Sequence, residues 1–366
     1  MSPTTPGAEI EGTHYVDSND LLRAGTELLT HHGLSAEDAH TVAYCLVESD
    51  LRGVSTHGIV RLPHYLNRVR LGLINAKPNV TTTNVTPVAA LVDGDDGFGF
   101  VVATNALRTA MDAAETYGIG MAGVKNSSHF GMAASYVLQA VRAGYICMVF
   151  TNASKGMPPW GGRDPVLGTS PFAAGAPAGD QPPFVLDMSG AVAARGKVRL
   201  AALRGETVPE GWGLNSEGAS TTDPQEILDG GVVLPVGGPK GSALAMMMDI
   251  FSGVFTGSAF AGDVTNHTVD FEKPQNVGHF LLAIKPGLFM STDDFLSRMD
   301  VLVSRVKSSS PAVGFTEVLM PGEFESRLTE ERSAHGVPIP AAEFDNLASA
   351  CAAAGVAAPI SQAVPF

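Results

Sequence analysis

From Thr104 to Thr151 the chain reads as a helix (Thr104 to Tyr117), a strand (Ile119 to Val124), a helix (Ala133 to Ala143) and a buried strand (Ile146 to Thr151). This alternation points to the α/β class. The glycines inside the run narrow the choice further. Gly118-Ile-Gly120-Met-Ala-Gly123 matches GxGxxG letter for letter. That fingerprint works only where a strand leads into the glycines and a helix follows, so that a pyrophosphate can rest on the helix N-terminus. Here a helix precedes and an apolar strand follows. Gly118 is better suited to end the first helix in the left-handed conformation, and a conventional Rossmann unit is set aside. Gly237-Gly-Pro-Lys240-Gly-Ser242 likewise lacks the GxxxxGK[ST] spacing of a P-loop. Its backbone N–H groups and its ammonium can still meet an anion at the start of the apolar helix that follows. The rival reading is a plain glycine turn with a solvated lysine.

The flanks have a different texture. Asp17 to Leu73 shows helical spacing, with Leu21, Leu22, Leu28 and Leu29 on one face and Ser35, Glu37 and Asp38 opening a second helix. Beyond Pro78 come β-branched runs, Val80 to Val85 and Val88 to Val92, bounded by the turn cluster Asp93-Gly94-Asp95-Asp96-Gly97. Gly and Pro recur from Met157 to Gly238, and the acidic stretch Glu323 to Ala350 returns to helical spacing. These textures divide the chain into helical parts at 1–76 and 321–366, expected to pack together, and an α/β body at 77–320.

Charge and cysteine usage exclude several classes of function. Lys plus Arg number 23 against 37 Asp plus Glu, a net charge of −14 that would repel a polyphosphate backbone, so no nucleic-acid partner is expected. Cys45, Cys147 and Cys351 lie far apart with no CxxC pair, which disfavours both a disulfide framework and a cysteine zinc site. Met1 to Tyr15 has no basic start followed by an apolar run and is read as neither signal nor anchor; a cytoplasmic location is the expectation. The longest apolar stretch, Ser242 to Gly262, carries Asp249 near its middle and is interrupted by Ser and Gly. It is expected to be a buried helix and not a membrane span.

Four groups of residues carry candidate chemistry. In Gly53-Val-Ser-Thr-His-Gly-Ile-Val-Arg61, a helix starting near the histidine would put His57 and Arg61 on one face at i and i+4. An imidazole could then exchange a proton with a carbonyl while a guanidinium forks a carboxylate on the same small molecule, with Thr56 orienting the ring. The bland alternative is a helix N-cap with incidental His and Arg. His129, in Asn126-Ser-Ser-His-Phe-Gly131, ends a strand ahead of a helix, where α/β proteins bind ligands, or is a satisfied structural histidine. Asp187 ends the apolar strand Phe184-Val-Leu-Asp187 and either accepts from a ribose hydroxyl or caps a turn. Arg195 and Lys197 follow with charge suited to phosphate. His57, His129 and Asp187 show no HxH, HExxH or DxD spacing, so no metal is expected.

Taken in order, Ser55-Thr-His-Gly-Ile-Val-Arg61, Asn126-Ser-Ser-His-Phe-Gly131, Leu167-Gly-Thr-Ser-Pro-Phe172, Leu186-Asp-Met-Ser189 with Ala194-Arg-Gly-Lys197, Gly237-Gly-Pro-Lys-Gly241 and Met320-Pro-Gly-Glu323 make the chain resemble a known family. It is the malate/L-lactate dehydrogenase family of the sulfolactate-dehydrogenase-like group, and the likeness runs over nearly the whole chain, about Asp17 to Gly355. The resemblance implies a non-Rossmann sulfolactate-dehydrogenase-like fold with a mixed, largely antiparallel central sheet and helical layers. It implies an NAD(P)-dependent enzyme that is homodimeric, with the site near the subunit junction. By the same resemblance His57 is the proton donor, Thr56 supports it, Arg61 holds the substrate carboxylate, and Thr169 also contacts substrate. Cofactor contacts match His129, Phe130, Gly131, Met132 and Ala133; Asp187, Met188 and Ser189; Arg195 and Gly196; Pro239 and Lys240; and Leu319, Met320, Pro321, Gly322, Glu323, Phe324 and Glu325. Some members place catalysis on the counterpart of His129.

Two positions bear on substrate and cofactor. Thr56 stands where the family commonly has serine, keeping the hydroxyl and adding a methyl beside the imidazole. Lys197 matches the 2-hydroxyacid branch, whereas the family's cyclic-ketimine reductases carry an aspartate there, although Gly211-Trp-Gly213 and Gly241-Ser-Ala-Leu-Ala-Met-Met resemble those reductases. The expected activity is therefore hydride transfer between nicotinamide and C2 of a small 2-oxo/2-hydroxy acid, with ketimine reduction as the alternative. A non-redox binding protein or metal-dependent hydrolase on the same fold is the remoter one. NAD(H) is preferred and NADP(H) left open, because Asp187 suits a free 2′-hydroxyl, Arg195 a 2′-phosphate, and the net negative field disfavours the more charged nucleotide.

Overall fold

A computed structural model describes residues 12–364. Most of the Met1 to Tyr15 segment lies outside the described residues; only its end enters, in strand β1 (Thr13–Val16). Two helices follow, each started by a side chain that takes the free N–H groups of the first turn. Asp17 caps α1 (Ser18–His31), accepting from Asn19 N at 2.9 Å and Asp20 N at 3.2 Å. Ser35 caps α2 (Ala36–Leu51), accepting from Asp38 N at 3.1 Å. After two short 3₁₀ turns comes α3 (Leu62–Arg70).

The body is built on one seven-stranded sheet. Its strands are β2 (Thr81–Thr86), β3 (Ala89–Asp93), β4 (Ile119–Ser127), β5 (Ile146–Thr151), β6 (Phe172–Ala176), β7 (Phe184–Met188) and β8 (Val277–Ile284), in the spatial order β2-β3-β4-β8-β5-β6-β7. Only β3 and β4 run parallel; the other five neighbouring pairs are antiparallel. The expected mixed, largely antiparallel sheet is what the chain forms. Helix α4 (Gly99–Tyr117) ends at Gly118, whose φ of 80° is the left-handed conformation that glycine adopts without penalty, and β4 follows at once. The glycine fingerprint therefore serves a helix end and a strand. Helix α4 also starts five residues before the expected Thr104, because Ser128 Oγ, from the end of β4, accepts from Gly99 N at 2.9 Å. Helix α5 (Ala134–Arg142) then leads into β5.

The later chain adds α6 (Arg195–Arg204), α7 (Pro239–Asp249), α8 (Glu323–His335), β9 (Val337–Pro340), α9 (Ala341–Ala354) and β10 (Ser361–Gln362). Strand β1 pairs with both β9 and β10, and one apolar cluster joins Leu21, Leu28, Leu46, Tyr65 and Ile74 to Val337, Phe344, Leu347 and Cys351. A second cluster lies under α4 and α5 against the sheet. A third, around Met157, Val198, Ile227 and Ala245, supports the short strands and helices between β7 and β8.

The apolar stretch Ser242 to Gly262 departs from the expected buried helix. Its α-helical part ends at Asp249, a π-helical turn runs Ile250–Val254, and Met246, Met247, Ile250, Val254 and Phe255 are all exposed. Asp249 is itself buried and accepts from Ala261 N at 2.8 Å and Asn152 Nδ2 at 3.3 Å, so the carboxylate that interrupts the run holds the following loop. No helix among the described residues is long and apolar enough to cross a membrane. The three cysteines are buried and unpaired.

Candidate active site

The chain from α2 to α3 is not the continuous helix that the i, i+4 spacing of His57 and Arg61 predicts. It is two 3₁₀ turns, Ser55–His57 and Ile59–Arg61, broken at Gly58. The break has a cause. Asp50, buried near the end of α2, accepts from Ile59 N at 2.7 Å, and a β-carbon on residue 58 would stand 1.8 Å from Asp50 Oδ1. Only glycine lets the carboxylate reach the second turn at its free N–H end. His57 and Arg61 nevertheless come together, because Arg61 Nε donates to Thr56 O at 2.7 Å and Thr56 Oγ1 lies 3.0 Å from His57 Nδ1. Burial, with the Arg61 charge adding to it, lowers the His57 pKa to about 4, so the ring is neutral at neutral pH.

His129 is presented by the turn between β4 and α5, and its ring stacks on His57 with centroids 5.4 Å apart. Gly131 N donates to His129 Nδ1 at 3.2 Å, and the Tyr65 hydroxyl lies 2.8 Å from the same nitrogen. An Nδ1 that accepts the amide N–H carries no proton of its own, so Tyr65 also donates and the neutral ring keeps its hydrogen on Nε2. Burial holds the His129 pKa well below the usual histidine range, with His267 and His57 adding to the effect.

Sequence reasoning missed the shell around these rings. Gln275 Oε1 accepts from His129 N at 3.0 Å, and the His267 ring also stacks on His129, with centroids 4.8 Å apart. The His267 loop is pinned to α3 by the fully buried Arg68, which donates to His267 O at 3.1 Å, Asp270 O at 2.7 Å and Lys273 O at 3.4 Å. Asp50, Tyr65, Arg68, His267 and Gln275 have no local spacing to His57 or His129 that would mark them; packing alone brings them in.

The remaining predicted residues fall in three places. At the end of β7, Asp187 Oδ2 accepts from Ala134 N at 2.8 Å, the free N–H end of α5. Asp187 borders open space, yet enough protein surrounds it to raise its carboxyl to about 6, against the pull of Ala134 N and Arg52. Thr169 O accepts from Gly190 N at 2.7 Å and from Ser189 Oγ at 3.3 Å, which joins the Thr169 and Ser189 segments beside Met188. Phe130, Met132 and Ala133 are buried under the turn that carries His129.

The second place is the lobe between β7 and β8. Arg195, Gly196 and Lys197 lie exposed on the first turn of α6, and Arg195 Nη2 donates to Leu228 O at 3.2 Å. Pro239 and Lys240 lie exposed at the start of α7. The third place is the approach to α8. Pro321 O accepts from Val185 N at 3.1 Å, and Gly322 O lies 3.5 Å from Arg52 Nη2. Glu323 is buried, accepts from Met320 N at 3.1 Å and pairs with Lys307 and Arg327, so its carboxylate is spent on holding Leu319, Met320 and its own turn. Phe324 is exposed and Glu325 half-buried. No cluster of three or more His, Cys, Asp or Glu side chains among the described residues could hold a metal ion.

A family model described as malate/L-lactate dehydrogenase matches residues 16–348. The malate dehydrogenase of Pyrococcus abyssi is 37% identical over 347 residues, covering 91% of this chain and 95% of that one. The sulfolactate dehydrogenase structure from Methanocaldococcus jannaschii superposes with a TM-score of 0.89 at 34% identity, covering 94% of this chain and 98% of the other. The Δ1-piperideine-2-carboxylate reductase structure from Pseudomonas syringae pvar. tomato superposes with a TM-score of 0.82 at 28% identity, covering 92% and 99%. With the mixed sheet and these full-length matches, the chain belongs to the malate/L-lactate dehydrogenase family of NAD(P)-dependent oxidoreductases.

Proposed function

We propose that this oxidoreductase moves hydride between a nicotinamide and C2 of a small 2-oxo/2-hydroxy acid, with His57 exchanging the proton on oxygen and Arg61 holding the carboxylate. The observation that carries this reading is the different state of the two stacked histidines. His57 meets one hydroxyl at Nδ1 and is neutral, so it can take a hydroxyl proton in one direction and return it in the other. His129 has Nδ1 filled by two donors and offers only an Nε2 hydrogen, which suits a hydrogen bond to a carbonyl or amide oxygen and not proton abstraction. Arg61 lowers the proton affinity of His57; a substrate carboxylate on Arg61 cancels that charge and raises it, so substrate binding itself readies His57 to hold the proton.

A bound nicotinamide supplies or takes up the hydride. The residues present fit such a group. Asp187 is exposed and uses Oδ2 on Ala134 N, which leaves Oδ1 as an acceptor for a ribose hydroxyl, while Arg195 and Lys240 add exposed positive charge on α6 and α7. NAD(H) is the preferred form, from Asp187 and the net charge of −14, with NADP(H) the alternative. Thr169, Met188 and Ser189 are assigned to the substrate and cofactor edge. The chain-end helices, 1–76 and 321–366, form one unit beside a 77–320 body, which the apolar cluster shared by α1, α2 and α9 supports. A cytoplasmic homodimer completes the reading, supported by the free buried cysteines and by the apolar surface of Met246, Met247, Ile250, Val254 and Phe255.

Ketimine reduction is the second reading, favoured by the likeness to the piperideine-2-carboxylate reductase. Lys197, exposed on the first turn of α6, bears on the choice: if it faces the substrate, its cation repels a protonated imine and stabilises charge building on a carbonyl oxygen, whereas pointing to solvent or a cofactor phosphate it does neither. A substrate panel followed at 340 nm tests both. Turnover of pyruvate-like or oxaloacetate-like acids, unaffected by chelator and exceeding that of piperideine-2-carboxylate, is expected. Ketimine turnover without 2-oxo acid turnover overturns the proposal, and Lys197→Asp should narrow or invert the preference.

A further inference from the structure

We infer that His279, on the central strand β8, is a positioning residue whose ring fixes the turn that presents His129 to the substrate. The strand that leads to His129 contains one residue more than its neighbour. Val277 of β8 faces Ser127 of β4 and His279 faces Val124, so β4 takes three steps where β8 takes two. The extra residue shows in the burial as well: Gly120, Ala122 and Val124 are buried in alternation, and the next buried residue is Ser127 instead of Asn126. Asn126 absorbs the slip with a φ of 51°, a left-handed conformation that asparagine tolerates, and its Nδ2 donates to Asp93 Oδ1 and Oδ2 at 3.0 Å each. A bulge of this kind bends a strand and re-aims the side chains beyond it. It brings Ser127 against His279.

His279 lies in line with Leu281 and Ala283 on β8, on the apolar face under α4 and α5. An imidazole there is fully buried where an aliphatic side chain would pack at less cost, and it needs a partner for each ring nitrogen. Nε2 meets Ser127 Oγ at 2.9 Å and Nδ1 meets Thr151 Oγ1 at 2.8 Å, hydroxyls that can each donate or accept. The flat of the ring stacks on Phe130, with centroids 4.5 Å apart and planes 4° from parallel. Ser127 lies two residues before His129 and Phe130 one residue after it, so a single ring grips the chain on both sides of His129. Thr151, at the end of β5, ties that ring to the strand on the opposite side of β8.

The other holds on His129 act elsewhere. Tyr65 meets its ring and Gln275 its amide, whereas His279 holds the residues that flank it. A shift of ~1 Å in this turn takes Nε2–H out of line with a substrate oxygen, and misplacements of that size cost up to ~10²-fold in rate. The inference rests on the place that the proposed function gives to His129.

His279→Phe keeps a stacking ring and removes both hydrogen bonds. It should lower kcat by ~10- to 10²-fold with KM for NADH near wild type, and amide exchange across 127–131, followed by mass spectrometry, should quicken while exchange in α1 and α9 stays unchanged. His279→Gln, which can still meet one hydroxyl, should recover part of the loss. In a His129→Gln background His279→Phe should lower kcat no further, because the residue it positions is gone. A side chain that only stabilises the fold gives the same factor in both backgrounds, and that result overturns the inference. Wild-type exchange across 127–131, or an unchanged kcat in His279→Phe where His129→Gln lowers it, overturns it as well. If the Phe variant does not fold, Ser127→Ala, which takes away the Nε2 partner and leaves the ring in place, carries the same measurements. Faster exchange with kcat untouched by both His279→Phe and His129→Gln would leave the positioning standing and remove His129 from the proposed chemistry.

Discussion

Replacing Gly58 by alanine should be far costlier than one methyl group in a loop suggests. The new β-carbon would lie 1.8 Å from Asp50 Oδ1, 2.2 Å from Cγ and 2.5 Å from Oδ2, so the carboxyl must retreat by more than an ångström. It cannot do so and still accept from Ile59 N, now at 2.7 Å. Loss of a hydrogen bond to a charged group costs ~1.5–3 kcal/mol, and stranding the Ile59 N–H in a buried position adds ~1–3 kcal/mol. A destabilisation of ~2.5–6 kcal/mol follows, with kcat falling by up to ~10²-fold, because His57 immediately precedes the displaced residue. Guanidinium denaturation and steady-state kinetics measure the two effects. The Asp50→Ala/Gly58→Ala double variant supplies the control: with the carboxyl gone, adding the methyl should cost little beyond Asp50→Ala alone. Gly58→Ala within ~0.5 kcal/mol of wild type with kcat intact would refute the idea that Asp50 holds the turn.

His57→Ala should lower kcat by at least ~10²-fold while NADH binding, read by fluorescence, stays near wild type; near-normal kcat would move the proton transfer to His129. Arg61→Ala should raise KM for a carboxylate substrate, corresponding to a lost pair of ~1.5–3 kcal/mol, and shift the acid limb of the kcat/KM profile upward, since Arg61 lowers the His57 pKa. Equal loss with the matching amide substrate would remove the carboxylate assignment. His57, His129, His267 and His279 all have pKa values below the unfolded value, so they contribute stability that is present above pH ~6.5 and lost on acidification. The fully buried His279 alone gives a slope of ~1.4 kcal/mol per pH unit there. Asp50 and Asp187, raised to about 7 and about 6, act in the opposite sense, gaining stability as pH falls; four histidines outweigh two carboxyls. A melting temperature that holds steady or rises from pH 7 to pH 5 would contradict this balance.

The local grammar of the chain was legible wherever its cause was local. Gly118 ends α4 because it sits between a helical and an alternating pattern, and the Asp93 to Gly97 turn, with Asp95 and Asp96 at φ of 49° and 53°, is written in its residue types. The sequence order of β4, α5 and β5 was legible for the same reason. What stayed hidden depended on distant partners. Gly99 starts α4 because of Ser128, the His57 helix is broken by Asp50, and the apolar run after Ser242 turns half its side chains outward. Of the candidate site, His57, Thr56, Arg61 and His129 could be singled out from neighbouring residues, and the fold brings them together. His267 and Gln275 reach His129 from more than a hundred residues away, and nothing in their own surroundings marks them.

The place of β8 in the sheet constrains how this chain can be made. It lies between β4 and β5, pairing with β4 from Val277 to Ile284 with one register shift and with β5 from His279 to Ile284, and it is buried almost throughout. A ribosome delivers β4 and β5 early and β8 only after Ile284 has been added, so until then both earlier strands keep an unpaired apolar edge in the nascent chain. The sheet cannot close from the N-terminus as it emerges; it closes once, around its middle, after most of the protein has been translated.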